Sequence, residues 1–153
     1  MEPLRSPTKR ESFQMPERPQ NSEPHLRTRR DHASETAEDY VEANDQILEV
    51  RDTCRLTDLA RRFAVSHVTA NRIVERLQRE GYVTTEPYQP IRLTRKGKRL
   101  ASECRKRHEI VFQFLLAIGI DAETAANDAE GIEHHVSPAT LERFREMSNA
   151  GPS

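Results

Sequence analysis

Apolar residues recur at helical spacing through most of the chain, and they predict a mainly α-helical protein. The clearest case follows Ser66, where apolar residues fall at i, i+3, i+4 and i+7 until Gly81 ends the pattern. Two short runs, over residues 82–85 and 91–94, favour strands, and the two prolines between them indicate a hairpin turn. The helices are predicted over residues 37–52, 56–63, 67–80, 95–117, 122–135 and 138–147.

The first 35 residues lack this periodicity. They contain five of the nine prolines, and charges of both signs are mixed with Ser, Thr and Gln. Such a segment buries too little apolar surface to offset the entropy lost on ordering. We therefore expect a disordered tail over residues 1–35, a first domain over residues 36–97 and a second, helical domain over residues 98–147.

Composition excludes several classes of protein. The chain of 153 residues has a formal net charge of -1, so bulk charge does not indicate nucleic-acid binding. No run approaches the roughly 20 apolar residues of a membrane-spanning helix, and the start lacks the apolar core of a secretory signal. Two isolated cysteines, Cys54 and Cys104, exclude a disulfide framework. We expect a soluble cytoplasmic protein without a membrane partner.

The first half of the predicted order is that of a winged helix-turn-helix: helix, short helix, tight turn, helix, hairpin. Small Ala60 allows close helix approach, Val65 fills the turn, and Ser66 caps the third helix. The outer face of that helix carries short polar groups and cations suited to base edges and phosphates. The candidate DNA-binding residues are Ser66, His67, Thr69, Asn71, Arg72 and Arg76. A winged helix that serves only protein contacts remains an alternative.

Three separated stretches carry carboxylates and histidines at helical spacing. The first helix offers two carboxylates at i, i+3, and the fifth offers two carboxylates and a histidine at i, i+3, i+4. The fourth helix places a histidine on its apolar side. Each feature alone is typical of a solvated face or a core histidine, whereas the combination suggests a metal site in a helical core. The candidate ligands are Asp39, Glu42, His108, Glu130, Glu133 and His134.

These stretches read DYVE (39–42), RHEIV (107–111) and NDAEGIEHHVS (127–137). In that order, with a winged helix between the first two, they resemble the manganese transport regulator branch of the diphtheria-toxin-repressor-like metalloregulators. The similarity runs over about residues 37–144. It implies a two-domain protein in which a metal-binding and dimerisation domain follows the DNA-binding domain.

The resemblance also implies a binuclear Mn(II) site, two ions per subunit, formed at the domain junction by the six candidate ligands. Glu42 and Glu133 would bridge the ions, and iron-sensing relatives carry Met and Cys where this chain has Asp39 and Glu130. A hard, oxygen-rich set of this kind suits Mn(II). Metal would rigidify a homodimer, which would bind palindromic operator DNA and repress manganese uptake genes. The apolar faces of the last three helices also favour a dimer.

Other functions remain open at the level of sequence. A winged-helix regulator could sense iron, or a small organic ligand as MarR-type proteins do. Two-metal sites also serve hydrolases, but the sequence shows no nucleophile elbow or phosphate loop. We therefore expect a DNA-binding regulator that is not an enzyme and that needs no small organic ligand.

Overall fold

The structure, a computed structural model, describes residues 23–150. This part of the chain is mainly helical, as predicted, and contains a winged helix-turn-helix followed by a second helical domain. The elements are α1 (Glu23–Val50), α2 (Leu56–Arg62), α3 (His67–Arg79), β1 (Val83–Thr84), β2 (Arg92–Leu93), α4 (Arg95–Ala117), α5 (Ala122–Ile132), a 3-10 helix (Glu133–His135) and α6 (Pro138–Asn149).

The turn between α2 and α3 has the geometry that the sequence predicts. Ala64 adopts a positive φ of 52°, and the N–H of Val65 donates to the carbonyl of Ala60 at 3.0 Å. The Ser66 hydroxyl accepts from the N–H of Thr69 and so caps α3. Thr94, Asp121 and Ser137 cap the later helices in the same way.

The hairpin β1–β2 forms the wing and packs tightly against the start of α4. Its strands are antiparallel, with Val83 opposite Leu93. At the start of α4, a Cβ added to Gly97 would lie 2.1 Å from the carbonyl oxygen of Tyr82. Glycine is therefore required at Gly97, because any side chain would collide with the backbone of the wing.

Two apolar cores lie on either side of a junction between the domains. The first joins α1, α2, α3, the wing and the start of α4, and includes Val41, Leu59 and Leu77. The second joins α4, α5 and α6, where Phe114 stacks on Phe144 with ring centroids 3.9 Å apart. Helices α1 and α4 pack against each other across the junction. None of the helices in residues 23–150 is long and apolar enough to cross a membrane.

Helix α1 begins 14 residues earlier than predicted, at Glu23 instead of residue 37. Residues 23–35 of the predicted tail are therefore helical in the structure, while residues 1–22 of that tail lie outside the described residues. Pro24 stands in the first helical turn, where its missing N–H costs nothing. Further along, the Thr36 hydroxyl donates to the carbonyl of His32, and the Arg76 guanidinium donates to the carbonyl of Ala33. The contact from Arg76 holds the added turns to the first domain, whereas the Thr36 bond lies within α1.

Helix α5 ends three residues earlier than predicted, and residues 133–135 form a separate 3-10 turn. The physical reason is the next helix: Pro138 occupies its first turn and Ser137 is its extended cap, so the chain must leave helical geometry before residue 136. Glu133 and His134 consequently do not share an α-helical face with Glu130.

Candidate metal centre

The structure brings the six predicted ligands together at the junction of the two cores. Helix α1 supplies Asp39 and Glu42, while the other four come from α4, α5 and the 3-10 helix. His134 joins two of these elements: its Nε2 lies 3.0 Å from Asp39 Oδ1 and 3.7 Å from Glu133 Oε1. The Nδ1 of His108 lies 3.6 Å from Glu130 Oε1.

Glu42 interacts electrostatically with residues of both groups. Burial raises the pKa of its carboxyl, and the charge of Glu130 raises it further, whereas His108 and His134 lower it. Its electrostatic partners therefore come from both sides of the junction. Asp39, one turn earlier on α1, also raises the Glu42 pKa.

Glu133 is the most deeply placed charged group of the centre. Its side chain has no exposed surface, and among the described residues none donates a hydrogen bond to either carboxylate oxygen. Burial raises its pKa to about 7; Glu42 also raises it, while His134 and Arg107 lower it. The buried Nδ1 of His108 likewise finds no hydrogen-bond partner in this part of the chain. Buried polar atoms left without partners are costly, and a metal ion would satisfy both groups.

His134 is almost fully buried, with 2% of its side chain exposed. Its Nδ1 lies 2.5 Å from Glu38 Oε2, opposite the contact of Nε2 with Asp39. Burial lowers the pKa of this imidazole, but the hydrogen bonds with Asp39 and Glu38 outweigh burial and raise it to about 10. The ring therefore carries a proton between two carboxylates, at the position where an imidazole ligand would hold a cation.

Four further residues surround the centre and were not predicted. The Arg107 guanidinium lies 2.9 Å from Glu38 and 3.5 Å from Glu133. The carboxylate of Glu35 lies 3.1 Å from Nε2 of His135. Glu38 could have been found from its position one turn before Glu42, whereas Glu35 fell within the predicted tail.

The donor set consists of four carboxylates and two imidazoles, which suits a hard divalent cation such as Mn(II). Cys104 lies one turn before His108 and is fully buried. Burial raises the pKa of its thiol to about 12, with Glu38 adding to the shift. A thiol in this state is an inert core group.

The predicted DNA-binding residues divide into two groups. Arg76 is half-buried; its guanidinium donates to the carbonyl of Ala33 on α1 and lies 3.6 Å from Glu80 at the end of α3. Its guanidinium is therefore engaged within the first domain, and its contact with DNA stays a prediction. The other five are exposed on one end of α3 and are Ser66, His67, Thr69, Asn71 and Arg72.

A cleft of about 790 Å³ separates this part of α3 from the wing. His67 and Asn71 line it on the helix side, and Tyr88 and Gln89 line it at the wing tip. Tyr88 is 98% exposed and adopts a positive φ of 63°. An exposed helix end beside an exposed wing is the arrangement with which winged helices meet a duplex.

Family comparison agrees with this two-part architecture. Residues 32–91 match the family described as iron dependent repressor, N-terminal DNA binding domain. Residues 94–150 match iron dependent repressor, metal binding and dimerisation domain. The chain belongs to the iron-dependent repressor family. Its members are DNA-binding repressors, so the prediction of a DNA-binding homodimer that is not an enzyme is confirmed at this level.

Curated relatives place the chain in the manganese transport regulator branch, as the resemblance implied. It is 37% identical to the transcriptional regulator MntR of Escherichia coli O157:H7 over 140 residues, covering 92% of this chain and 90% of that one. Identity to MntR of Salmonella typhimurium strain LT2 is 39%, covering 91% and 88%. Identity to the HTH-type transcriptional regulator MntR of Bacillus subtilis strain 168 is 36%, covering 72% and 78%.

Solved structures share the fold. A manganese-dependent transcriptional repressor in complex with manganese superposes with a TM-score of 0.66 at 28% identity. The manganese regulator SloR superposes with a TM-score of 0.63 at 27% identity. Each match covers 74% of this chain but only about half of the longer chain, 52% and 53% respectively.

Proposed function

We propose that this chain is a manganese-responsive transcriptional repressor that acts as a homodimer in the cytoplasm. In the proposal, two Mn(II) ions per subunit bind at the domain junction, and the loaded dimer binds palindromic operator DNA upstream of manganese uptake genes. The proposed ligands are Asp39, Glu42, His108, Glu130, Glu133 and His134. The observation that carries the proposal is Glu133, a fully buried carboxylate without a hydrogen bond from any described residue, beside the imidazole of His134.

Electrostatics supports a role for a cation at this place. Carboxylates from α1, α5 and the 3-10 helix crowd one junction; burial raises the pKa values of Glu42 and Glu133, and the charges of neighbouring carboxylates raise them further. A divalent ion supplies the positive charge that offsets this repulsion and links groups on separate elements. Asp39 and Glu42 would then be tied to Glu133 and His134, which joins the DNA-binding domain to the dimerisation domain.

This linkage explains how metal would control DNA binding. Helix α1 carries two of the ligands and also packs on the core that holds α3. Fixing α1 against the second domain fixes the orientation of α3 in each subunit of a dimer. Two such helices at a set spacing match successive major grooves. The ordering cost then falls on metal binding instead of DNA binding, which makes the two ligands positively coupled.

Carboxylates favour manganese over iron in this proposal. Asp39 and Glu130 stand where iron-sensing relatives place sulfur ligands, and hard oxygen ligands suit Mn(II). Family membership also separates the chain from the MarR-type regulators considered as an alternative.

The test combines metal analysis with DNA binding. Purified protein is equilibrated with Mn(II), Fe(II) or Zn(II), and bound ions are counted per subunit by elemental analysis. Duplexes that bind are selected from a random library in Mn(II) and used in gel shifts with each metal and with a chelator. We expect two manganese ions per subunit, an inverted repeat in the selected duplexes and loss of the shifted band in chelator. A shift of equal strength with chelator would contradict the proposal.

A further inference from the structure

The early start of α1 brings one more carboxylate to the metal centre. Glu35 lies one helical turn before Asp39 and two turns before Glu42, so the three carboxylates follow one face of α1. Sequence reasoning assigned Glu35 to a disordered tail, and the six ligands expected from the family resemblance do not include it. The structure instead places Glu35 in a continuous helix, with 28% of its side chain exposed.

Ligand atoms of Glu35, Asp39 and His134 converge. One carboxylate oxygen from each acid and one ring nitrogen of the histidine all lie within 4.8 Å of one another. Such a spacing lets three donors reach a single divalent ion after small side-chain movements. The three residues also combine hard oxygen with imidazole nitrogen, as the rest of the centre does.

The shape of the molecule around Glu35 supports the same assignment. A cleft of about 400 Å³ is lined by four carboxylates, Glu35, Asp39, Glu42 and Glu130, and by one cation, Arg62. Gly131 also lines this cleft, and a Cβ added to it would meet nothing within 4 Å. Glu35 therefore borders the same cavity as three of the six expected ligands.

We propose that Glu35 is a seventh protein ligand of the Mn(II) centre, acting together with Asp39 and His134. This inference rests on the proposed function, because it assigns a further ligand to the same centre. It also gives the added turns of α1 a role: they carry a ligand into the centre and extend the part of α1 that metal fixes.

A structural role for Glu35 is the competing explanation. Its carboxylate lies 3.1 Å from Nε2 of His135, so it could serve only to hold α1 against the 3-10 helix. The two roles differ in their dependence on His135. A structural contact needs both partners, whereas a metal ligand needs only the carboxylate.

The experiment measures Mn(II) binding directly. Free Mn(II) is quantified by its electron paramagnetic resonance signal during titration of the full chain, and the isotherm gives stoichiometry and dissociation constants. The variants are Glu35→Gln, His135→Asn and Asp31→Asn. Asp31 is the matched control, since it is an exposed carboxylate one turn before Glu35 on the same helix. Thermal unfolding without metal checks that each variant folds.

We expect Glu35→Gln to weaken binding of at least one Mn(II) ion by roughly 10- to 100-fold, the range seen for groups that support metal sites. His135→Asn and Asp31→Asn should stay within about twofold of the unaltered chain, since both keep the Glu35 carboxylate. Equal isotherms for Glu35→Gln and the unaltered chain would overturn the inference. Equal weakening by His135→Asn, or by Asp31→Asn, would also overturn it in favour of a structural or long-range charge effect.

Mn(II) binding by the unaltered chain shows whether this inference or the proposed function has failed. If it binds Mn(II) and only the variant comparison fails, Glu35 is not a ligand while the manganese centre stands. If the unaltered chain binds no Mn(II), the proposed function fails, and the role of Glu35 fails with it.

Discussion

Arg107 and Glu133 form a buried ion pair at the domain junction, with Nε of the guanidinium 3.5 Å from Oε2 of the carboxylate. The same guanidinium lies 2.9 Å from Glu38 on α1. Arg107 is thus a positive charge that links α1, α4 and the 3-10 helix without metal. Because Glu133 is also a proposed metal ligand, the protein's own cation and Mn(II) act on the same carboxylate.

Removing Arg107 should make stability depend on metal. Arg107→Gln removes one of the two cations beside Glu38 and Glu133, the other being the protonated ring of His134, and breaking a buried pair from one side costs several kcal/mol. Because 21% of the Arg107 side chain is exposed, solvent reduces the cost, and we expect a loss of about 2 kcal/mol in urea unfolding without metal. Mn(II) should restore most of this loss. Equal destabilisation with and without Mn(II) would contradict the shared role.

Neutralising Glu133 should affect the metal-free protein less than removing Arg107 does. Its carboxylate is buried without hydrogen bonds from the described residues, so the lower cost of burying a neutral amide offsets the loss of its ion pair with Arg107, which keeps Glu38. We expect Glu133→Gln to leave the free energy of unfolding of the metal-free chain within about 1 kcal/mol of its unaltered value. The same change should abolish the rise in melting temperature caused by Mn(II).

The matched control for that experiment is Glu103→Gln, which alters an exposed carboxylate on α4. This variant should keep the Mn(II)-induced rise in melting temperature. A Glu133→Gln protein that still gains the full rise would show that Glu133 does not bind the metal.

Arg72 and Arg76 should behave differently in DNA binding, although both lie on α3. Arg72 is exposed, whereas Arg76 bonds the carbonyl of Ala33. We expect Arg72→Ala to weaken binding of the selected duplex and to reduce the salt dependence of log K by about one phosphate contact. Arg76→Ala should leave the salt dependence unchanged and instead speed amide hydrogen exchange in α1 near Ala33. Reversed effects would show that Arg76 turns toward DNA.

Both cysteines should resist alkylation in the folded state. Burial raises the pKa of the Cys54 and Cys104 thiols from 9.0 to about 12, so few thiolates exist near pH 8. Iodoacetamide labelling should be slow in native buffer and fast in urea. Above pH 9 the unfolded chain loses thiol protons that the folded chain keeps until about pH 12. Stability should therefore fall through that range. Rapid native labelling would contradict the buried placement.

The sequence predicted those features that depend on local physics. Short side chains with an oxygen atom cap four helices, because that oxygen accepts a hydrogen bond from a free N–H group in the first helical turn. These caps are Ser66, Thr94, Asp121 and Ser137. Asp39, Glu42, His108 and Glu130 lie on helices that the apolar pattern predicts, while the complete set of six ligands followed from the family resemblance.

The features that the sequence did not predict depend on tertiary contacts. The added turns of α1 have no apolar repeat of their own and are held by contacts such as that between Arg76 and Ala33. Glu35 was missed for the same reason. The turn of Glu133 and His134 out of α5 depends on where α6 must begin. The apolar periodicity of one helix gives no information about a contact with another helix or about where the next helix begins.

The most direct measurement is the affinity of the dimer for its selected duplex at rising Mn(II) concentration, followed by fluorescence anisotropy. We expect the affinity to rise by roughly 5- to 150-fold between chelator and saturating Mn(II), which is the usual range of coupling between two sites. We also expect duplex DNA to tighten Mn(II) binding by the same factor. Equal affinity for the duplex in chelator and in saturating Mn(II) would contradict this coupling.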